Sequence, residues 1–354
     1  MKIYWDSYGI VRGPSGIFVH ARELQKALSS NGIEVKILGS GDGRGSLFRT
    51  VFGSKLIAPE VCFREFSRIH GGGPAVYHGL SNFNLPLWHR GARQLGVKFV
   101  LTVHDLIPLL APPEGVSFAS RIQSSLLVPR AINMADAIVA VSGWTAKTIV
   151  DRYPGAEGRI TVIPNGFPPL RIMSDPAATA RPAVTRILTV GRSETYKRHD
   201  LFFAVLEAAK GTLHGTIVTP GLPRALMGQA EELSRKGYLS VVVSPSPSAL
   251  DQIYASHDVY VQTSLLEGFC LPAAEAQSSG IPVVYTAGSG IDEVVCPASG
   301  RGVSTSATVT QWVTEILDVA AAAPGMAASL GRWVSQRPTW NDSAIALKKL
   351  YNSL

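Results

Sequence analysis

Two glutamates eight residues apart, Glu267 and Glu275, lie in the run Ser-Leu-Leu-Glu-Gly-Phe-Cys-Leu-Pro-Ala-Ala-Glu-Ala at 264–276. An apolar strand, Asp258 to Thr263, leads into a tight loop holding Glu267 and Gly268. Pro272 suits the first turn of the helix that follows, where a missing N–H costs nothing. One carboxylate is thus expected at the loop rim and the other on the first helical turn. Both face a ligand above the strand's carboxyl end, where open α/β sheets bind ligands. Helix-start N–H groups beside them hold oxygen atoms of that ligand. Carboxylates accept hydrogen bonds from hydroxyls, so the pair suits a sugar and a ribose.

A second group of residues adds positive charge. Val190-Gly191-Arg192 closes another strand, Tyr196-Lys197-Arg198 follows, and a helix begins near His199. Arg192 and Lys197 are expected to converge on a diphosphate, one as a planar fork and one as a compact ammonium; an ordinary basic βα loop is the competing explanation. Gly13-Pro14-Ser15-Gly16 precedes a helix carrying Ile17, Ala21, Leu24 and Leu28. Glycine there permits close backbone approach to a ligand, or serves only as a packing turn. Val103-His104-Asp105 ends a strong strand, so His104 points from the strand end as a ligand contact or as a structural histidine, and Asp105 is a cap or turn residue. Ser244-Pro245-Ser246-Pro247 follows a strand and either edges a nucleotide base or caps a helix. Asp136 and Asp258, at strand starts, and the Asn165-Gly166 turn are expected to be structural.

These residues need a scaffold. Apolar runs at Ile3–Trp5, Val35–Leu38, Val76–Tyr77, Val97–Val103, Ala137–Val141 and Ile160–Ile163 read as buried strands separated by helical patterns. The second half repeats the scheme with strands at Arg186–Val190, Gly215–Val218, Leu239–Val243, Val259–Val261 and Pro282–Tyr285. Helices are expected near 199–209, 223–236, 247–255 and 272–279. Such alternation implies parallel sheets covered on both faces. Four prolines between Pro168 and Pro182 mark a linker, and a last helix carries Ala344, Leu347, Leu350 and Tyr351. The expected organisation is two doubly wound domains facing a central cleft, residues 1–170 and 183–337, with 338–354 crossing back onto the first.

With 354 residues, 46% of them hydrophobic, the chain is long enough for about two globular domains. Three cysteines, Cys62, Cys270 and Cys296, have no metal or redox spacing and fit a reducing compartment. No histidine pair with metal spacing and no Asp-x-Asp pair occurs, so no metal is expected. No run of about 18 apolar residues and no leader pattern is seen. The net charge of +7 suits nucleotide phosphates or an anionic lipid surface. Between Gly45 and His70, Arg49, Lys55, Arg64 and Arg68 interleave with Phe48, Phe52, Phe63 and Phe66. That pattern suits a lipid interface or an ordinary packed loop and helix. Nucleic acid is not expected, since no binding motif for it appears.

Taken in order, these segments carry a resemblance. Glu267-Gly-Phe-Cys-Leu-Pro-Ala-Ala-Glu275 resembles the E-x7-E signature of retaining glycosyltransferases of family four, which have the GT-B fold. The glycine turn ending at Gly16, His104-Asp105-Leu-Ile-Pro, Ala135–Ser142, Ile163-Pro-Asn-Gly166, Gly191-Arg192 with Lys197, and the Trp340-to-Tyr351 helix agree with that family in the same order. The His104 and Gly13–Gly16 segments are similar to those of bacterial enzymes that add mannose or rhamnose to lipid-linked polysaccharide. The resemblance implies an α/β fold of two Rossmann-like domains. It also implies a nucleotide-diphosphate sugar as co-substrate, a lipid-linked or polysaccharide acceptor in surface glycan synthesis such as O-antigen, and no metal cofactor.

The resemblance implies residue roles as well. Arg192 and Lys197 neutralise the donor diphosphate. Glu275 holds the ribose. Glu267 and the N–H groups of Phe269, Cys270 and Leu271 hold the donor sugar. Gly16 approaches the diphosphate and His104 contacts the sugar, with Ser15 and Ser244 counted among the donor-binding residues. Cys270 replaces the family's usual glycine, which bears on donor identity, and Arg198 replaces another. A non-hydrolysing nucleotide-sugar epimerase and a non-catalytic nucleotide-sugar-binding protein share this scaffold and stay open. The expected location is the cytoplasm, peripheral on the inner face of the membrane.

Overall fold

The computed structural model describes residues 1–6, 15–39, 58–86, 96–171 and 184–354. Within these, strands and helices alternate and build two six-stranded sheets whose pairings are all parallel. Residues 13, 14, 45–57 and 172–182, which carry part of the glycine turn, of the basic-aromatic stretch and of the linker, lie outside the described residues. Two units result: Met1–Leu110 with Ser117–Gly166 and Trp340–Leu354, and Ala111–Val116 with Phe167–Thr339.

The first unit contains β1 (Lys2–Asp6), α1 (Gly16–Ser30), β2 (Val35–Leu38), α2 (Ala58–Ile69), β3 (Ala75–Gly79), β4 (Val97–Val103), α3 (Ile107–Leu110), α4 (Phe118–Met134), β5 (Ala137–Ala140), α5 (Gly143–Arg152) and β6 (Ile160–Val162). Its sheet order is β2-β1-β3-β4-β5-β6. Ser15 caps α1 by accepting from the Phe18 N–H at 3.2 Å, and the helix stops at Asn31, where Gly32 takes φ +70°. On α2, Phe66 is buried against Tyr4 and Tyr77, and Phe63 stacks on Phe66 at 5.5 Å. The aromatic part of the basic-aromatic stretch that is described therefore belongs to the core rather than to a lipid-facing surface.

The second unit contains β7 (Thr185–Val190), α6 (His199–Ala208), β8 (Leu213–Thr219), α7 (Arg224–Arg235), β9 (Leu239–Val243), α8 (Pro247–Ala255), β10 (Val259–Gln262), α9 (Leu271–Ser278), β11 (Val283–Thr286), β12 (Gly300–Val303) and α10 (Val309–Ser335). Its order is β12-β11-β10-β7-β8-β9. Counted from β7, this is the 3-2-1-4-5-6 order of doubly wound nucleotide-binding sheets. Its core gathers Phe202, Phe203 and Leu206 of α6, Ile217, Val259 and Val261 of the sheet, and Trp312 and Ile316 of α10. Among the described residues, α10 is the one helix long and apolar enough to cross a membrane, yet Trp312, Ile316 and Val319 are buried in this core. Phe118–Met134, Gly143–Arg152, Gly300–Val303 and Val309–Ser335 are elements that the sequence reading did not place.

Helix α11 (Trp340–Asn352) returns to the first unit. Ala344, Leu347 and Tyr351 join Trp5, Leu24, Leu28 and Val76 in one apolar cluster. The Tyr351 hydroxyl accepts from Trp5 Nε1 at 2.9 Å and lies 2.5 Å from His78 Nδ1. Gly166 makes this docking possible: a β-carbon there would stand 2.1 Å from the Trp340 nitrogen. The strand-start aspartates are structural in the same way in both units. Asp136 accepts from the Phe99 N–H at 2.8 Å and Asp258 from the Arg186 N–H at 2.7 Å. Each also returns its own N–H to the same residue's carbonyl, locking neighbouring strands in register.

Candidate functional site

In the second unit, β7 and β10 are adjacent, and their chain continuations run to opposite sides of the sheet order. This is the topological switch point, where open α/β sheets leave a crevice beyond their carboxyl ends. The loop after β7 carries Arg192 and Lys197, and the loop after β10 carries Glu267 and leads to Glu275.

The two loops are tied together at atomic detail. The Thr263 hydroxyl reaches the carbonyls of Lys197 at 2.9 Å and Arg198 at 3.0 Å, and the Leu265 N–H donates to the Tyr196 carbonyl at 2.8 Å. Arg198 takes the left-handed conformation, φ 56°, which turns the chain from the Thr195–Lys197 turn into α6. These constraints place Lys197 Nζ 2.7 Å from Glu267 Oε1 in a pair that is largely buried. Burial alone would lower the lysine pKa, but the Glu267 carboxylate reverses that and raises it well above its usual value, so the lysine is protonated. Gln262 Nε2 donates to the same Glu267 Oε1 at 2.8 Å. The loop backbone is fixed too: the Glu267 N–H donates to Ser289 Oγ at 3.1 Å, and the Gly290 N–H to the Glu267 carbonyl at 2.8 Å. A β-carbon on Gly290 would lie 2.1 Å from the Gly268 carbonyl oxygen, so only glycine allows this approach.

Glu275 sits on α9 but in its second turn rather than the expected first, because the helix already begins at Leu271; it is half-buried, and the Tyr254 hydroxyl from α8 donates to its Oε2 at 2.8 Å. Burial and this carboxylate push the Tyr254 phenol well above its ordinary pKa, so it stays a donor. Phe269 is buried against Phe167, with ring centroids 6.2 Å apart, and Cys270 and Leu271 are buried beside it. Cys270 occupies the N-cap of α9 at φ 73° and ψ 72°, a left-handed conformation natural to glycine and strained for cysteine. Its thiol is pushed up well above the usual range by burial and by the neighbouring Glu267. It is a neutral side chain held in an N-cap that turns the chain into the helix.

Arg192 departs from the expected convergence. It is exposed, and its Nε lies 3.2 Å from Glu194 within its own loop, whereas Lys197 pairs with Glu267. Adjacent Ser193 is held by Thr219 Oγ1 at 3.0 Å and by His199 Nδ1 at 3.1 Å, which fixes the loop's base. Burial, then the Lys197 charge, lowers the His199 pKa to about 4 and keeps that ring neutral. Ser244 is exposed at the end of β9 with φ 46°, while Ser246 caps α8 by accepting from the Ala249 N–H at 3.2 Å. Capping is thus accounted for by Ser246, with Ser244 turning the chain ahead of it.

In the first unit, Ser15 is the N-cap and Gly16 the first residue of α1. His104 is buried and 2.9 Å from the Leu80 carbonyl through Nε2, which makes that nitrogen the donor. Burial, with His20 nearby, lowers its pKa to about 3, so the ring is neutral. His20 packs edge-on against it with centroids 4.8 Å apart. Asp105 accepts from the Ile107 N–H at 2.9 Å, the expected turn cap. Gln262, Tyr254, Ser289 and His20 are contacts that the sequence reading missed. The single signal for any of them was one amide side chain, Gln262, ending the apolar strand Val259-Tyr-Val. Among the described residues no cluster of three or more His, Cys, Asp or Glu side chains could hold a metal.

Residues 14–170 match the model of Glycosyltransferase Family 4 and residues 180–321 that of Glycosyl transferases group 1. The chain belongs to the GT-B glycosyltransferases. Among curated relatives, the D-inositol 3-phosphate glycosyltransferase of Mycolicibacterium vanbaalenii is 28% identical over 213 residues, 54% of this chain and 47% of that protein. The mannosylfructose-phosphate synthase of Agrobacterium fabrum is 26% identical over 194 residues, 49% of this chain and 42% of that protein. The chain spans about half the length of the curated relatives it matches. In fold it is similar to sucrose-phosphate synthase of Thermosynechococcus elongatus, with TM-score 0.78, 19% identity and coverage of 100% of this chain and 98% of that one. It is also similar to Anabaena HepE in complex with UDP and glucose, with TM-score 0.73, 16% identity and full coverage of both chains.

Proposed function

We propose that this GT-B glycosyltransferase moves a hexosyl group, with retention, from a nucleotide-diphosphate sugar to a lipid-linked or polysaccharide acceptor of bacterial surface glycan synthesis. Mannose and rhamnose are the favoured sugars. The observation that carries the proposal is the buried Lys197–Glu267 pair at the switch point of the second sheet, 2.7 Å apart, with Glu275 on the adjoining helix. Departure of a nucleoside diphosphate builds negative charge on phosphate oxygens. A fixed, protonated lysine stabilises that charge without reorganising when the bond breaks. Arg192, exposed in the same βα loop, adds a second cation after leaving Glu194. No metal is required in this scheme. Glu267 and the start of α9 hold the sugar, and Glu275 holds ribose hydroxyls.

Thermal shift with GDP, UDP and dTDP tests the donor class, because a ligand bound only by the native state raises the midpoint. One of the three is expected to shift it, and turnover of the matching sugar donor is expected only with acceptor and to persist in EDTA. A new sugar epimer formed without acceptor would establish the epimerase alternative. Binding without any turnover would establish a sensor.

An acceptor held in a bilayer requires the enzyme to reach an anionic surface, and with Phe63 and Phe66 of 45–70 taken up by the core, another face must do so. Helix α4 supports that association from described residues. Phe118 (78% exposed), Ile122 (44%) and Leu126 (51%) follow one another at i, i+4 and i+8, so one apolar ridge faces outward. Its opposite face, with Leu127, Val128 and Ala131, is in the core. Arg121 and Arg130 are the helix's charged residues, and it carries no carboxylate. Apolar side chains rimmed by arginine suit an anionic lipid interface. Flotation with phosphatidylglycerol vesicles at low salt is expected for the wild type. The combined Phe118→Ser, Ile122→Ser, Leu126→Ser protein, changed at exposed positions, is expected to stay at the bottom of the gradient. Equal flotation of the two proteins would remove α4 from the interface.

A further inference from the structure

The structure assigns Gln262 as the positioning residue that decides which oxygen Glu267 presents to a bound sugar. The inference rests on the proposed transfer reaction. Gln262 ends β10, 4% exposed, directly beneath the Glu267 loop. Its amide is oriented by the groups around it. Oε1 accepts from the Tyr260 hydroxyl, while Nε2 donates to Ser264 Oγ and to Glu267 Oε1. Both N–H bonds are thereby used, and the flipped amide would set its carbonyl oxygen against the carboxylate. Lys197 Nζ also reaches Glu267 Oε1. Two donors from separate elements converge on one oxygen. The other oxygen, Oε2, has no hydrogen-bond partner among the described residues. A carboxylate pinned by one oxygen keeps a fixed plane, and its second oxygen becomes a directed acceptor for a ligand hydroxyl.

The same amide links the two functional loops. Tyr260, which orients Gln262, also reaches the Val190 carbonyl at 3.3 Å, the residue just before Gly191-Arg192. Lys197 alone could turn about Glu267 on its flexible stem; the buried amide cannot, because three neighbours hold it. A site held through such supporting hydrogen bonds keeps its geometry without drawing on ligand binding to achieve it.

The experiment compares wild type, Gln262→Leu and Gln262→Glu in transfer from GDP-mannose, UDP-glucose and dTDP-rhamnose, with nucleoside diphosphate binding measured beside it. Gln262→Leu keeps the volume and removes the donor. It is expected to lower kcat at least tenfold and to leave affinity for the free nucleoside diphosphate within about threefold, as a positioning role for the sugar contact requires. Gln262→Glu supplies a readout that loss of packing would not give. Two carboxylates sharing one site hold a proton more tightly than either does alone. Below that raised pKa the protonated carboxyl of the variant donates to Glu267 as the native amide does; above it the two carboxylates repel. Its kcat is therefore expected to recover toward wild type as pH falls and to drop as pH rises, against a flatter wild-type profile. If both variants transfer at wild-type rates with unchanged pH profiles, Gln262 does not position Glu267. If nucleoside diphosphate binding falls in parallel with kcat, the residue supports the fold of the loop and not the sugar contact. A wild type that binds nucleotide but transfers from no donor removes the transfer reading, and this assignment with it.

Discussion

Lys197→Ala is expected to reduce transfer by two to three orders of magnitude, an effect of about 2.7–4 kcal/mol on the transition state, as for other preorganised electrostatic groups. Among the described residues, Lys197 is the one cation placed on Glu267, and the Thr263 and Leu265 contacts hold its backbone in position. Truncation does two things at once. It removes the charge proposed to meet the leaving diphosphate, and it leaves the Glu267 carboxylate buried without its cationic partner. The second effect destabilises the fold, because breaking a buried pair from one side strands the other charge. The two effects separate in a double variant. Lys197→Met with Glu267→Gln replaces both charges with neutral groups of similar size, so the thermal midpoint is expected to recover while transfer stays as low as in Lys197→Ala. Steady-state kinetics and a thermal melt on the same preparations check this. Transfer that recovers along with the melting temperature would mean that the lysine matters only for stability.

Much of this site was legible in the sequence because its chemistry is local. Glu267, Glu275 and Pro272 lie on one loop-helix segment, and a strand before them with a helix after them suffices to place both carboxylates. The parallel sheets were legible for a related reason: strands buried on both faces are runs of Val, Ile and Leu that stand out from helical spacing. What stayed hidden depends on contacts distant in sequence. Tyr254 meets Glu275 from a different helix, and Gln262 points at Glu267 only because the loop folds back over its own strand. Helix α4 was missed because it is apolar on both its buried and its exposed sides, which erases the single stripe that marks an amphipathic helix. The aromatic residues Phe63 and Phe66 looked suited to lipid by composition, yet a sheet face lined by Tyr4 and Tyr77 claims them. Arg192 was expected to converge with Lys197 on a diphosphate from its place at the strand end. Glu194, two residues further on, is a nearer partner for an exposed guanidinium when no anion is bound.

The first unit is expected to lose stability steeply as the solution is acidified below about pH 6. Three of its histidines are buried and built to be neutral. His78 is buried between the Tyr351 hydroxyl, 2.5 Å from Nδ1, and Thr102 Oγ1, 2.8 Å from Nε2. His104 uses its one N–H on the Leu80 carbonyl. His20 lies 2.7 Å from Asn165 Oδ1 through Nδ1, and its Nε2 is buried with no hydrogen-bond partner among the described residues, so a second proton would find no acceptor among them. Burial, reinforced by the proximity of the rings to one another, lowers His78 and His104 to about 3, and burial lowers His20 to about 4. In the unfolded chain each titrates near about 6.5. The unfolded state therefore binds more protons than the folded one between about pH 6.5 and pH 3–4. Stability is full above that window and falls as pH drops through it, by up to about 1.4 kcal/mol per pH unit for each histidine. Three such groups acting together would exhaust the stability of an ordinary domain within roughly two to three pH units. Urea midpoints followed by tryptophan fluorescence are expected to fall from pH 7.5 to pH 5. His20→Asn keeps an amide donor toward Asn165 and removes one titrating ring, so it is expected to reduce that slope by one proton. Midpoints that match at the two pH values would mean that the buried rings accept protons in the folded state, against the hydrogen-bond pattern that surrounds them.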